Sequence, residues 1–183
     1  GDVIPEVVKV IKDHRLSNSK QFIIPNECPV CGNIANKSDD DAVARCINMK
    51  CPAKIKGSIE HFVSKNCMNI DGLGTKIVEL LINEELIKNI SDIYYLKHEN
   101  IAKLDRMGDK SADNIIQSIN NSKHTTLARF LYGLGIRYVG QNSAKILEKH
   151  FEGDLNKLIN TKLDELLDIY DIGEVMAHSI IDY

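Results

Sequence analysis

From about residue 58 to the end of the chain, apolar side chains recur three and four residues apart, and short breaks built around a glycine interrupt them four times. Set in register, Gly74, Gly108, Gly140 and Gly173 lie 34, 32 and 33 residues apart. The columns beside them repeat as well. One residue before each glycine stand Leu73, Met107, Val139 and Ile172, and four before stand Ile70, Leu104, Ile136 and Ile169. Four residues after come Val78, Ala112, Ala144 and Ala177; seven after come Leu81, Ile115, Leu147 and Ile180. Agreement over that many columns marks an internal repeat. After each glycine the spacing predicts an amphipathic helix, and the apolar pair before it brackets a turn short enough only for a hairpin between two helices. The expected fold is therefore mainly α, a helix-hairpin-helix array with four repeats over 58–183. Its hairpins fall near 70–76, 104–110, 135–142 and 169–175.

The pattern upstream is different. Residues 1–25 carry short β-branched runs split by polar residues, which read as one or two strands without visible partners, a short β remnant of a larger domain. Residues 26–57 have little hydrophobic periodicity and hold four cysteines spaced C-x2-C-x14-C-x4-C: Cys28, Cys31, Cys46 and Cys51. Two residues between thiolates let one tight turn aim both sulfurs at one ion, and Gly32 supplies a permissive backbone behind the second. Four thiolates suit structural Zn2+ in a closed tetrahedral site, and so short a segment is expected to fold only with its metal. Unpaired buried thiols or an iron-sulfur role fit the paired spacing less well. Cys67 reads as a small buried side chain. His61, directly before Phe62, reads as a core residue rather than a fifth candidate ligand.

Composition adds bounds. The 183 residues are 43% hydrophobic and 27% charged, with a net charge of -3, and no run is long and apolar enough to span a bilayer. The first residues, Gly1-Asp2-Val3-Ile4-Pro5, have neither the basic flank nor the apolar stretch of a secretory signal, so a cytoplasmic setting without a membrane partner is expected. Cysteines in that setting point to metal rather than disulfides.

A slightly negative charge argues against a nucleic-acid grip made of Lys and Arg alone. Bare helix starts offer another route, because their unpaired N–H groups and the positive end of the helix dipole both attract anions. Several in one chain suit a polyanion such as DNA, held through its phosphates and without sequence preference. Gly72 and Gly74 are expected to permit the first bend and leave the amides open, with Lys76 beside them. Arg106, Gly108 and Lys110 form the second candidate socket, and Arg137, Gly140 and Lys145 the third. The fourth, at Gly173, is ringed by Asp168, Asp171 and Glu174 and ranks as the weakest phosphate binder; residues 161–183 carry one basic and six acidic side chains. The competing reading treats the glycines as mere helix punctuation, and a protein-docking module is a further alternative.

The runs "GDVIP", "CPVCG", "RCINMKCPA", "HFVSKNCMNIDGLG" and "LYGLGIRYVGQNSAKIL", in that order, resemble the C-terminal half of the bacterial NAD-dependent DNA ligases over essentially the whole chain. The resemblance implies that 1–25 ends an OB-fold, that the four cysteines bind zinc, and that the hairpins grip duplex DNA across the minor groove. It also implies a bacterial, cytoplasmic parent enzyme, acting as a monomer on nicked duplex DNA in replication and repair, that uses NAD+ and Mg2+. Adenylation in that family needs a lysine in K-x-D-G. Here Asn69-Ile70-Asp71-Gly72 lacks the lysine and Lys162-Leu163-Asp164-Glu165 lacks the glycine, so no catalytic residue is expected and adenylation belongs to N-terminal adenylation and OB domains outside this stretch. No BRCT domain, which usually follows in the family, is expected within it. A free-standing accessory factor of repair or recombination with the same hardware is the alternative.

Overall fold

The computed structural model describes residues 4–37, 43–105 and 107–183. The chain divides into two compact units, Gly1–Asn48 and Met49–Tyr183.

In the first unit, residues 4–25 form a 3-10 turn at Lys12–His14 and no strand. The strands expected there are absent because nothing among the described residues pairs with them, and an isolated ribbon cannot bury its apolar faces. Ile4, Val8, Phe22 and Ile23 are each 80% or more exposed. The unit's two short strands lie further along, in the cysteine-rich segment. β1 (Ala35–Asn36) runs antiparallel to β2 (Arg45–Cys46), with Ala35 opposite Cys46.

The second unit is helical, with nine helices among its described residues: α1 (Pro52–Val63), α2 (Thr75–Asn83), α3 (His98–Ala102), α4 (Asp109–Ser122), α5 (Leu127–Leu134), α6 (Gln141–His150), α7 (Leu155–Ile159), α8 (Leu163–Leu167) and α9 (Glu174–Ile181). The four glycines of the repeat are the residues immediately before α2, α4, α6 and α9. Helix pairs α1/α2, α3/α4, α5/α6 and α8/α9 are the four repeats, and α7 links the third to the fourth.

The column residues explain the packing. Val78, Ala112, Ala144 and Ala177, one turn into each second helix, are all 0% exposed, so another helix lies directly on that turn. Ile70, Leu104, Ile136 and Ile169 are buried too. A fully buried Leu or Ile contributes roughly 1.5–3 kcal/mol, which makes these columns the main source of order for helices of only five to fourteen residues.

The cores are paired rather than continuous. Ile59, Phe62, Val78, Leu81, Ile101 and Ile115 belong to one cluster beneath the first two hairpins. Leu131, Ala144, Leu147, Phe151, Leu166 and Ala177 belong to another beneath the last two. Phe130 and Leu134 of α5 pack against both. α5 comes close to α1 at Gly133, where a Cβ would stand 3.3 Å from both Cys67 Cβ and Phe62 Cδ2. Beside it the His61 ring meets the Tyr132 carbonyl (Nε2 to O 2.7 Å) and lies edge-on to the Tyr132 ring. His61 and Cys67 thus stand at the joint between the two pairs, Cys67 buried as expected and His61 half-buried, and burial pushes the Cys67 thiol above its ordinary pKa.

The first bend needs one glycine, not two. Gly72 has φ +89°, and its Cβ would strike Ile115 Cγ1 at 2.6 Å. Gly74 has φ -73° and ψ 168°, open to any residue, with nothing within 4 Å of a Cβ. Replacing Gly72 with Ala is expected to lower stability by about 1–3 kcal/mol, from left-handed strain and overpacking. Gly74→Ser, which gains a capping hydroxyl, should match the parent within a few tenths of about 1 kcal/mol. Urea unfolding of the two variants measures the contrast.

Candidate nucleic-acid interface and metal cluster

Each hairpin is closed by the same turn. The N–H of the residue before the repeat glycine donates to the carbonyl three residues back: Leu73 to Ile70 at 3.4 Å, Met107 to Leu104 at 3.0 Å, Val139 to Ile136 at 3.0 Å and Ile172 to Ile169 at 3.1 Å. The third residue of that turn is left-handed wherever it is described: Gly72, Tyr138 (φ +67°) and Asp171 (φ +68°). In the second hairpin this position is Arg106, which lies outside the described residues. A left-handed third residue reverses the chain abruptly and delivers the glycine, in extended conformation, to the start of the next helix.

Those starts are bare. Gly74, Gly108, Gly140 and Gly173 are exposed, have φ of -73°, -138°, -87° and -83°, and supply no side-chain cap. None has any atom within 4 Å of where a Cβ would sit. Two of the other helices, α5 and α7, are capped by side chains: Thr126 Oγ1 accepts from the Arg129 N–H at 3.3 Å, and Asp154 Oδ1 accepts from Asn156 N–H at 2.8 Å and Lys157 N–H at 3.3 Å, while α1, α3 and α8 start at Cys51, Lys97 and Lys162 without a side-chain cap. Ser, Thr, Asp or Asn at this position gives a helix more stability than Gly does. Glycine at four helix starts with room for a side chain is therefore not required by the fold.

Charge is unequal among the four. Lys76 and Lys110 occupy the second helical position of α2 and α4, and Lys145 stands one turn into α6; all three are exposed. Arg137 lies at the tip of the third hairpin with its guanidinium carbon 4.7 Å from the centre of the Tyr138 ring. At the second hairpin, Asp109 at the first position of α4 faces His98 (Nε2 to Oδ1 3.9 Å), and His98 also contacts Asp113 at 3.2 Å. The fourth hairpin combines Asp171 and Glu174 with Tyr170, 90% exposed, and Val175, 61% exposed, where the first two hairpins have lysine.

The four expected cysteines do come together. The sulfurs of Cys28, Cys31, Cys46 and Cys51 all lie within 4.8 Å of one another, and Cys31 and Cys46 are 3.5 Å apart. A tetrahedral zinc with thiolates at about 2.3 Å sets its sulfurs about 3.8 Å apart, so the cage has the right size, and 3.5 Å is far too long for a disulfide. Gly32 takes φ +67°, and its N–H donates to the Cys28 carbonyl at 2.9 Å. Backbone N–H groups of Val30 and Cys31 point at the Cys28 sulfur and lower its pKa, while desolvation among the other sulfurs pushes Cys46 up to about 11. Opposed shifts within one cage are what a divalent cation resolves by taking four thiolates at once. The donor set, all sulfur and closed, fits a structural zinc and leaves no open position for catalysis.

A four-cysteine zinc module followed by two tandem hairpin pairs defines a class, the zinc-bearing helix-hairpin-helix proteins. Comparison with known families agrees segment by segment. Residues 27–53 match the NAD-dependent DNA ligase C4 zinc finger domain, 66–121 a SAM-like helix-hairpin-helix tandem, and 129–183 a helix-hairpin-helix motif. The two hairpin matches coincide with the two cores. Over all 183 residues the chain is 45% identical to the DNA ligase of Clostridioides difficile (strain 630) and 46% identical to that of Bacillus subtilis (strain 168), spanning 27% of the length of each. Over its whole length the chain resembles the zinc-finger and helix-hairpin-helix region of NAD-dependent DNA ligases.

Two features of the interface have no single-residue signature. The left-handed Tyr138 and Asp171 occupy the column of Gly72, and only the alignment of the repeats with one another hints that they share its backbone. Ser118 of α4 accepts a hydrogen bond from the Asp71 N–H at 2.7 Å, tying the first hairpin to the helix of the second; its partner is 47 residues away.

The metal assignment is testable by mass spectrometry and thiol chemistry. One zinc per chain is expected. After chelation four thiols should react with a disulfide reagent, while Cys67, 0% exposed, reacts only on unfolding. Most of the helical circular dichroism should persist, because both helical cores are built from apolar side chains of the second unit.

Proposed function

We propose that this region binds duplex DNA without sequence preference and holds a nicked substrate for a ligase that seals it in replication and repair. The observation that carries the reading is the set of four uncapped helix starts, each with a glycine that the fold does not need. A phosphate oxygen reaching such a start accepts hydrogen bonds from main-chain N–H groups that no side chain occupies or shields. Hydrogen bonds to a charged partner contribute roughly 1.5–3 kcal/mol each, and all duplex sequences present the same phosphates. This grip explains how a chain of net charge -3 can bind a polyanion. Lys76, Lys110, Arg137 and Lys145 add charge at the first three hairpins, Arg106 joins the second, and Gly173 with its acidic neighbours contributes least.

The zinc cage is structural in this reading. It cross-links a segment with almost no core of its own. Catalysis lies outside these residues, with NAD+, Mg2+ and the adenylated lysine handled by other domains of the parent enzyme. Residues 1–25 complete an OB-fold whose remaining strands belong to the rest of that enzyme, a reading supported by the uncovered apolar side chains of residues 4–25. The parent acts as a monomer in the bacterial cytoplasm.

Binding of a nicked duplex, measured by fluorescence anisotropy over a salt series, tests the proposal. Lys110→Ala and Arg137→Ala should each reduce the slope of log K against log salt by about 1; unchanged slopes in both would remove the phosphate assignment. Gly108→Asp and Gly140→Asp probe the helix starts directly. An aspartate there caps its own helix and raises stability by about a few tenths of a kcal/mol, yet it fills the socket with a carboxylate. More stable variants that bind at least about tenfold more weakly are expected, and Asn at the same positions separates blockage from charge.

A further inference from the structure

The fourth hairpin keeps the skeleton of the other three and changes what that skeleton presents. Its turn is closed by the same bond, Ile172 N–H to the Ile169 carbonyl at 3.1 Å, over the same buried brackets. Two outward columns differ. Three residues before the repeat glycine stand Asp71, Asp105 and Arg137 in the first three copies and Tyr170 in the fourth; two residues after it stand Lys76, Lys110 and Asn142, then Val175. All of these side chains are exposed, so the columns face solvent in every copy. Only in the fourth are both apolar, with Tyr170 90% and Val175 61% exposed. A single exposed apolar residue is ordinary. A paired replacement on a turn held rigid from below has the form of an interface centre, in which a preorganised aromatic residue supplies much of the binding energy.

The surrounding charge selects the kind of partner. Asp168, Asp171 and Glu174 are exposed on the same hairpin, and among the described residues no hydrogen bond or ion pair engages their side chains. Elsewhere the chain offsets such charge: His98 faces Asp109 and Asp113 at the second hairpin, and Lys56 pairs with Glu79 at 2.8 Å. Unpaired carboxylates around an apolar pair repel a phosphate backbone and attract a cationic surface. The third hairpin shows which cation suits a ring at this place. There Arg137 lies over the Tyr138 ring, both residues belonging to one tip. In the fourth copy the column of Arg137 is taken by Tyr170, and residues 138–183 contain no arginine, so this tip has a ring, carboxylates and no guanidinium of its own.

We infer that Tyr170 and Val175, ringed by Asp168, Asp171 and Glu174, form a docking surface for an arginine-bearing basic segment of a partner protein. A guanidinium stacks on the Tyr170 ring and turns its N–H edges to the carboxylates, an arrangement that a lysine ammonium, compact and strongly hydrated, does not reproduce. The aliphatic stem of the same or a neighbouring basic residue covers Val175. The surface stands on the fourth hairpin alone and does not require the first three to hold phosphates.

The test uses the whole chain with zinc bound and labelled arginine-glycine, lysine-glycine and glutamate-glycine repeat peptides of equal length, without DNA. The arginine peptide should bind more tightly than the lysine peptide, the glutamate peptide should not bind, and amide shifts in the protein's NMR spectrum should centre on residues 168–175. Tyr170→Ala should weaken the arginine peptide about two- to fivefold, and Val175→Ser should weaken it in the same sense. Both side chains stand in solvent, so the melting temperature should stay level. Asp168→Asn combined with Glu174→Gln should flatten the salt dependence of peptide binding. Absence of arginine-peptide binding overturns the docking surface, as do shifts centred elsewhere. Equal binding of the lysine peptide, or parent-like affinity in both Tyr170→Ala and Val175→Ser, also overturns it, because charge alone then attracts the peptide. Self-association of the chain that Tyr170→Ala abolishes would assign the surface to a second copy, and loss of nicked-duplex affinity in Tyr170→Ala would assign it to DNA; either result overturns the protein partner. The salt slopes of Lys110→Ala and Arg137→Ala on DNA are read separately, so failure of the phosphate reading and failure of the docking surface are distinguishable.

Discussion

One short hydrogen bond sets the geometry of each hairpin: the amide just before the repeat glycine closes onto the carbonyl three residues back. With that bond made, and the third turn residue left-handed wherever it is described, the two apolar residues that bracket the turn both fold inward. The glycine that follows has only one direction left, outward. Burial and exposure therefore alternate within five residues, from Ile136 (6% exposed) through Tyr138 (50%) to Val139 (5%) and the open Gly140. The helix starts are bare because the turn is tight, and the turn is tight because its apolar brackets are worth burying.

The same economy separates the two units. The helical unit has apolar columns enough for two cores, so its order needs no cofactor. Among its described residues the cysteine-rich segment has a pair of two-residue strands and scarcely any buried apolar side chain besides cysteine. There the folding energy has to come from metal-sulfur bonds, and backbone amides aimed at Cys28 prepare the cage for charge. Residues 4–25 have neither resource, which is why their valines and isoleucines stand in solvent.

Much of this was legible in the residues. The repeat register placed all four helix starts correctly because a buried column tolerates few side-chain types, and the cysteine spacing announced its cluster because tetrahedral geometry permits few arrangements. What stayed hidden depends on contacts distant in sequence. Nothing local to Gly72 and Gly74 shows that Ile115, far along the chain, makes the first indispensable and leaves the second unconstrained. The division into two cores turns on Phe130 and Leu134 facing both ways, a property of helix crossing rather than of periodicity. The strands expected upstream do not form among the described residues 4–25 for a related reason: β-branched runs state a preference, and only a neighbouring strand can realise it.

Tyr138 and Asp171 hold a backbone conformation that glycine would adopt without strain. Their turns keep that shape because the flanking apolar residues are anchored below, whatever the tip residue prefers. A scaffold so determined from beneath lets its tips drift after duplication. One copy can keep an arginine stacked on an aromatic ring while another accumulates carboxylates and a bare tyrosine, and the skeleton under both remains the same. The acidic fourth copy thus shows the same skeleton carrying a different outer surface.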